Sequence, residues 1–435
     1  MAPTWPHRAA GRPPATRTAP RHRTPPPRDA AQHAAHLEAL LGDPREPANP
    51  YGRPAVWAAA PGALPAPPAG LPGAGDLADA GRLARALRPL FRRDLALAHA
   101  WILRPLPSAP VPHPAAALLG PAALLAGVGA LLRAVTRVVD GLSRHEPAAG
   151  QWRPVLASVF ADLLACESLT AVALSSCPKD PRTSADGPGT HAGGPPPQPG
   201  ELLAAAAGYL VPQLAGDLLN DLELVLEECG FGGDTPERHT LARILRDRSL
   251  VGGDQRAAGA AQTRLVRALD TAGGSWPDDV TRCTALFWTT AGPAGPAAFA
   301  GPAVAPRAGD GEDGTAALAR LGRRLAAEQR ALRVACAAAA AHEPADPAAR
   351  ALADRRALLL LAAATTGVQE AAAASRLPFL GEAGWALLAL ARITGRLGAA
   401  LPDHMPDAQP GVWDELARRA ADAVDCDLYA TGLSW

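Results

Sequence analysis

Lysine is all but missing from this sequence. Lys179 is the single lysine among 42 basic side chains, Asn49 and Asn220 are the only asparagines, and isoleucine is confined to Ile102, Ile244 and Ile393. Exposed helix positions accept Lys and Arg alike, so near-total use of Arg has no folding cause. The favoured residues, Ala, Arg, Pro and Gly, have G/C-rich codons and the avoided ones A/T-rich codons. That skew points to a genome of high G+C content, bacterial or viral. Aromatic residues are scarce as well, at 4%. A core short of large rings has to be built from closely packed Leu, Val and Ala, which suits helices better than sheets. No segment shows sustained β-branched alternation, so strands are not expected. An excess of charge is also lacking, because 42 basic and 42 acidic side chains cancel. No global field therefore steers the chain toward nucleic acid or a membrane surface. There is no Cys-x-x-Cys pair. Cys166, Cys177, Cys229, Cys283, Cys336 and Cys426 are dispersed, which fits free thiols in a reducing compartment better than a disulfide framework. The Arg- and Pro-rich start lacks the apolar segment of a signal peptide.

The 435 residues exceed one compact core and imply two domains or one large helical domain with tails. Residues 1–75 read as a disordered basic and Pro-rich arm, interrupted by one short helix from Asp29 through Leu37, Leu40 and Leu41. Within the first thirty residues Arg8, Arg12, Arg17, Arg21, Arg23 and Arg28 are opposed only by Asp29. Such an arm suits contact with RNA or a nuclear import receptor, while a solvated tail coloured by codon bias accounts for the same residues. Residues 76–175 read as a helical domain, with Pro89 a kink or break and helices over 115–142 and 152–175. Residues 176–200 read as a flexible linker and 201–290 as a further helical segment. In that segment Leu210, Leu214, Leu218, Leu222 and Leu226 recur every fourth residue, and Gly230 stands at a C-cap. Thr235-Pro236-Glu237 is a strong helix start, and helices are expected over 236–249, 255–271 and 277–290. Residues 291–314 form a Gly/Pro-rich linker, and 315–435 a C-terminal helical domain with helices over 315–341, 347–375, 382–400 and 411–428. The fold class is all-α, a multi-helix bundle or layered array. Ala115–Leu132 carries no charge and raises the question of a membrane span. It is rich in Ala and Gly, contains Pro121 and runs into Arg133 and Arg137, so we read a buried helix and expect no transmembrane segment.

Chemistry-bearing motifs do not assemble. Gly309-Asp310-Gly311-Glu312-Asp313-Gly314 satisfies G-x-G-x-x-G, but no strand precedes it and its carboxylates would oppose a pyrophosphate. Asp217 and Asp221 lie one helical turn apart, with Glu228 further along. In an all-α enzyme such a face can hold Mg²⁺, yet a solvated acidic face opposite the leucine stripe explains it equally, and no second acidic cluster answers it. His33 and His36 are i, i+3 neighbours without a third ligand. No nucleophile elbow, Walker loop or His-Glu-x-x-His is present. We therefore assign no catalytic, cofactor-binding or metal residue, and read a non-enzymatic chain that needs no cofactor. Trp435 ends the segment DLYATGLSW, which suits a docking peptide or a tail folded back on the last helix.

Three stretches are similar to the alphaherpesvirus tegument phosphoproteins, virion proteins that modulate the alpha-trans-inducing factor. They are DLALAHAWILRPLPSAPVPHP with GPAALLAGVGALLRAVTRVVDGL, then LLLLAAATTGVQEAAAASRLPFLGEAGWALLALA, and last AALPDHMPDAQPGVWDELARRAADAVD. Their order and spacing resemble the family over residues 76–180 and 315–428, with no match between. The resemblance implies a tegument component, found in the virion and in host cytoplasm and nucleus, that binds other tegument proteins and the virion transactivator. Family members known for signalling carry a long tyrosine-bearing tail. Here Tyr51, Tyr209 and Tyr429 are the only tyrosines, so kinase-adaptor activity is not carried over. The competing reading is a helical regulatory or effector protein of a high-G+C bacterium whose Arg-rich arm contacts nucleic acid.

Overall fold

The computed structural model describes residues 29–58, 64–69, 71, 80–105, 116–177, 199–252, 255–269, 311–338 and 343–434. Among these the chain is all-α, as expected, and the only β pairing is a single bridge between Val424 and Gly432. The arginine arm from Arg8 to Arg28, the helix expected over 277–290, Cys283 and Trp435 lie outside the described residues.

Two long apolar helices form the centre. α5 (Ala116–Ser143) and α6 (Arg153–Ser175) pack on one another. α6 is buried on nearly every side, as its almost continuous run of Leu, Val, Ala and Phe requires. Each leucine fully withdrawn from water there contributes about 1.5–3 kcal/mol. Two of its buried hydroxyls are satisfied without leaving the helix: Ser168 and Thr170 donate to the carbonyls of Leu164 and Cys166, at 2.7 and 2.8 Å.

The remaining helices clothe this pair. α1 (Ala30–Leu41) and α2 (Arg53–Ala58) precede α3 (Ala80–Arg93), and α1 packs along α3, which in turn packs on α5. The chain from Asp29 to Ala58 is thus folded, with Leu37, Leu41 and Val56 in the core. Pro89 sits on the buried face of α3 and the helix continues through it to Arg93. Asp94 then caps α4 (Leu95–Ala98) through the amides of Ala96 and Leu97, and a π turn over His99–Leu103 follows. α7 (Pro199–Glu228) lies against both α5 and α6. It ends as its sequence demands: Gly230 takes φ +76°, and Phe231 N–H donates back to Leu226 O at 2.8 Å. α8 (Pro236–Asp247), opened by the Thr235 hydroxyl, packs on α5, and α9 (Gln255–Arg267) packs on α7.

The C-terminal half completes the shell. α10 (Gly311–Ala338) packs on α11 (Pro347–Ala374) and α12 (Ala383–Arg396). α11, α12 and α13 (Gln409–Ala421) each pack on α6. Gly311 and Gly314 of the Gly-x-Gly-x-x-Gly motif belong to the first turn of α10, so that motif opens a helix with no strand before it among the described residues. One hydrophobic cluster runs from Leu37 to Leu428.

The expectation of no transmembrane segment is corrected. Among the described residues four helices, Ala116–Ser143, Pro147–Ser175, Gly200–Glu228 and Pro347–Ala374, are long and apolar enough to cross a membrane. A helix at the centre of a large all-α core and one that spans a bilayer share length and composition, so reasoning from Ala115–Leu132 alone could not exclude the second. In this fold 89% of the apolar window is buried in each of the first two helices and 61% in each of the others. The central pair is thus the more enclosed, and α7 and α11 the less.

Candidate functional site

α6 carries only two carboxylates, Asp162 and Glu167, and both are buried. A buried charge needs a partner, and these two find theirs on elements far away in sequence. Glu167 accepts from Arg88 of α3 at 2.7 Å. The same guanidinium donates through Nε to Asp425 at 2.8 Å, with Asp427 at 3.5 Å. Arg92, one turn along α3, reaches Asp425 at 2.7 Å and Glu38 of α1 at 3.1 Å. On the other side of α6, Asp162 receives Arg392 and Arg396 of α12 at 2.8 and 3.0 Å.

The residues after α13 fold as a tight turn driven into this cluster. Asp425 N–H donates to Thr431 O and Leu433 N–H to Ala423 O, both at 2.8 Å. Asp427 accepts from the Thr431 amide and hydroxyl at 3.0 and 2.7 Å. Arg419, fully buried, donates to the carbonyls of Asp425 and Asp427 at 3.2 and 2.6 Å and to Glu415 at 2.7 Å. Its guanidinium lies over the stacked rings of Phe160 and Phe379, 5.2 and 5.5 Å from their centroids. Arg85 covers the Tyr429 ring at 4.3 Å. The segment Asp427–Ser434 thus folds back on the core, and the expected helix over 411–428 stops at Ala421 because Asp425 and Asp427 are needed in the interior.

The electrostatics divide these groups. Burial would raise the Asp425 carboxyl, but the charges and hydrogen bonds of Arg88 and Arg92 outweigh it and hold it well below the carboxylate range. Burial pushes Glu167 up to about 7, with Arg88 pulling the other way and Asp427 and Asp425 adding to the rise. Burial also raises the thiol of Cys426, to about 12, and that of Cys166 further, so neither is an activated nucleophile.

Beside this cluster a small open cleft lies between α2, α3 and α8. Arg92 belongs to both. Two carboxylates line the cleft, and both are paired: Asp94 with Arg243 at 2.9 Å, and Asp247 with Arg246 at 2.7 Å. Two arginines in its wall are not. Arg93 donates only to the carbonyls of Gly42 and Tyr51, and Arg53 lies over the face of Trp57 at 6.0 Å. Among the described residues neither has a carboxylate at ion-pair distance. Burial lowers both, Arg93 to about 10, and Arg53 adds to the lowering of Arg93.

The sequence-derived candidates fare differently. Asp217 is exposed and stands 3.9 Å from Arg396, while Asp221 is half-buried, its carboxyl raised by burial against the pull of Arg392. Among the described residues no three His, Cys, Asp or Glu side chains are grouped to hold a metal ion. His33 and His36 lie on α1. Arg88, Glu167, Asp425, Asp427, Arg53 and Arg93 were not singled out by the sequence. One signal was there to find: Asp162 and Glu167 interrupt a helix otherwise uncharged from Val155 to Ser175, and such charges require buried partners. Set against protein-family models, curated proteins and solved structures, the chain matches none of them.

Proposed function

We propose that this chain is a non-enzymatic component of a virion tegument, working through contacts with other viral and host proteins and modulating immediate-early transcription by the virion transactivator. The observation that carries this reading is where the three family-like stretches lie. Separated widely in sequence, their described parts fall on α4, the π turn and α5, on α11 and α12, and on α13; of these α5, α11, α12 and α13 pack against α6, as α3 and α7 also do.

The test is an immunoblot for the protein in purified particles of the virus that encodes it, after protease treatment with and without detergent. The reading expects protection that disappears once the envelope is dissolved. Expression in infected cells without incorporation into particles would overturn it.

A further inference from the structure

We propose that the cleft between α2, α3 and α8 is a binding site for a phosphate group, held between Arg53 and Arg93 with Trp57 as its wall. The argument starts from charge left uncompensated. Of the ionisable groups lining the cleft, Asp94 and Asp247 are neutralised by Arg243 and Arg246, and Arg92 by Asp425 and Glu38. What remains is a pair of half-buried guanidinium groups, near enough for their charges to oppose one another, with the like charge of Arg45 also acting on Arg53. Glu237 and Asp94 act on Arg53, and Glu38 and Asp43 on Arg93, only at a distance.

Two partly buried cations facing one opening are costly unless an anion enters. Guanidinium is the group best matched to a phosphate, since its planar fork donates two parallel N–H bonds to two oxygens. Arg93 is also pre-oriented, its Nη atoms anchored on backbone carbonyls of the turn before α2, so little side-chain freedom is lost on binding. The indole of Trp57, held edge-on by His239 at 5.7 Å between ring centroids, bounds the site on the side of Arg53. A phosphate on a side chain and a free phosphate ion present the same oxygens to this pair. The assignment is independent of the tegument reading and stands or falls without it.

The experiment is arginine modification of the full chain by phenylglyoxal, mapped by peptide mass spectrometry. Inorganic phosphate, O-phosphoserine and sodium chloride of matched ionic strength are compared. The expected result is selective protection of Arg53 and Arg93 by phosphate, with modification slowed about tenfold at ten times its Kd. The exposed Arg144 should show no such effect. Protection by O-phosphoserine as well assigns a phosphomonoester, and protection by inorganic phosphate alone assigns the free ion; either supports the site. Equal modification in phosphate and in chloride overturns it. An Arg53→Gln chain, whose helical content is checked by circular dichroism, should lose the thermal stabilisation that phosphate gives the parent. Retention of that stabilisation would also overturn the proposal.

Discussion

Asp162 and Glu167 face opposite sides of α6, and their different partners give them different chemistry. Asp162 is shared by Arg392 and Arg396 near the surface, whereas Glu167 shares one buried arginine with Asp425 and Asp427. With its carboxyl raised from 4.5 to about 7, Glu167 binds a proton more tightly in the folded chain than in the unfolded one. Its contribution to stability is therefore full at low pH and is lost as pH rises from about 4.5 through 7, by roughly 1–3 kcal/mol. Glu167→Gln, which keeps the acceptor for Arg88, should flatten this slope in urea unfolding measured between pH 5 and 7.5. An unchanged slope would place the titration elsewhere. Asp425 behaves in the opposite sense: held low by Arg88 and Arg92, it contributes stability above the ordinary carboxylate range that disappears only in strong acid. Asp425→Ala leaves two arginines facing a vacancy and should cost about 3–5 kcal/mol at neutral pH, read from the urea midpoint. The partner of Asp425 could not be seen in the sequence, because Arg88 precedes it by 337 residues.

Among the helices, α5 shows how two glycines in one element serve different ends. Gly120 passes under the turn that follows α8, and a Cβ there would stand 2.2 Å from the carbonyl oxygen of Val251. Backbone would have to move, so Gly120→Ala should destabilise by about 1–3 kcal/mol despite the better helix propensity of alanine. Gly141, near the other end of α5, has nothing within 4 Å of such a Cβ. Gly141→Ala should therefore stabilise by about 0.5–1 kcal/mol. Thermal unfolding of the two variants should shift in opposite directions, and a shared sign would show that the approach of Val251 does not limit α5. The tight turn after α13 makes the same point about elements. Ala423 and Ala430 adopt φ of +52° and +45°, a left-handed conformation that alanine rarely takes. The ion pairs of Asp425 and the carbonyl contacts of Arg419 hold it there. Helix spacing located α13 correctly but extended it to residue 428, since periodicity does not register a charge that must turn inward.

Across the whole molecule, protection from solvent should follow the layers. α5 and α6 are enclosed by α3, α7, α8 and α11–α13, whereas α10 packs on α11 and α12 at the periphery. Hydrogen exchange followed by mass spectrometry should therefore be slowest in α5 and α6 and clearly faster in α10. Comparable rates in α6 and α10 would contradict this layering. The leucine spacing, the Pro and Thr helix starts and the scarcity of aromatics were enough to assign an all-α chain and most helix positions, because helix formation and its punctuation are local. They could not separate a buried core helix from one able to cross a membrane, which differ in surroundings and not in composition. Nor could they reveal the cleft, for Arg53 and Arg93 resemble any of the surface arginines this codon usage supplies. Local signals along the chain mark most of the helices and their apolar faces, though not α2. Which charges are buried together and which are left unpaired follows from the fold alone, because charge compensation depends on distances between residues that the chain brings together only when it folds.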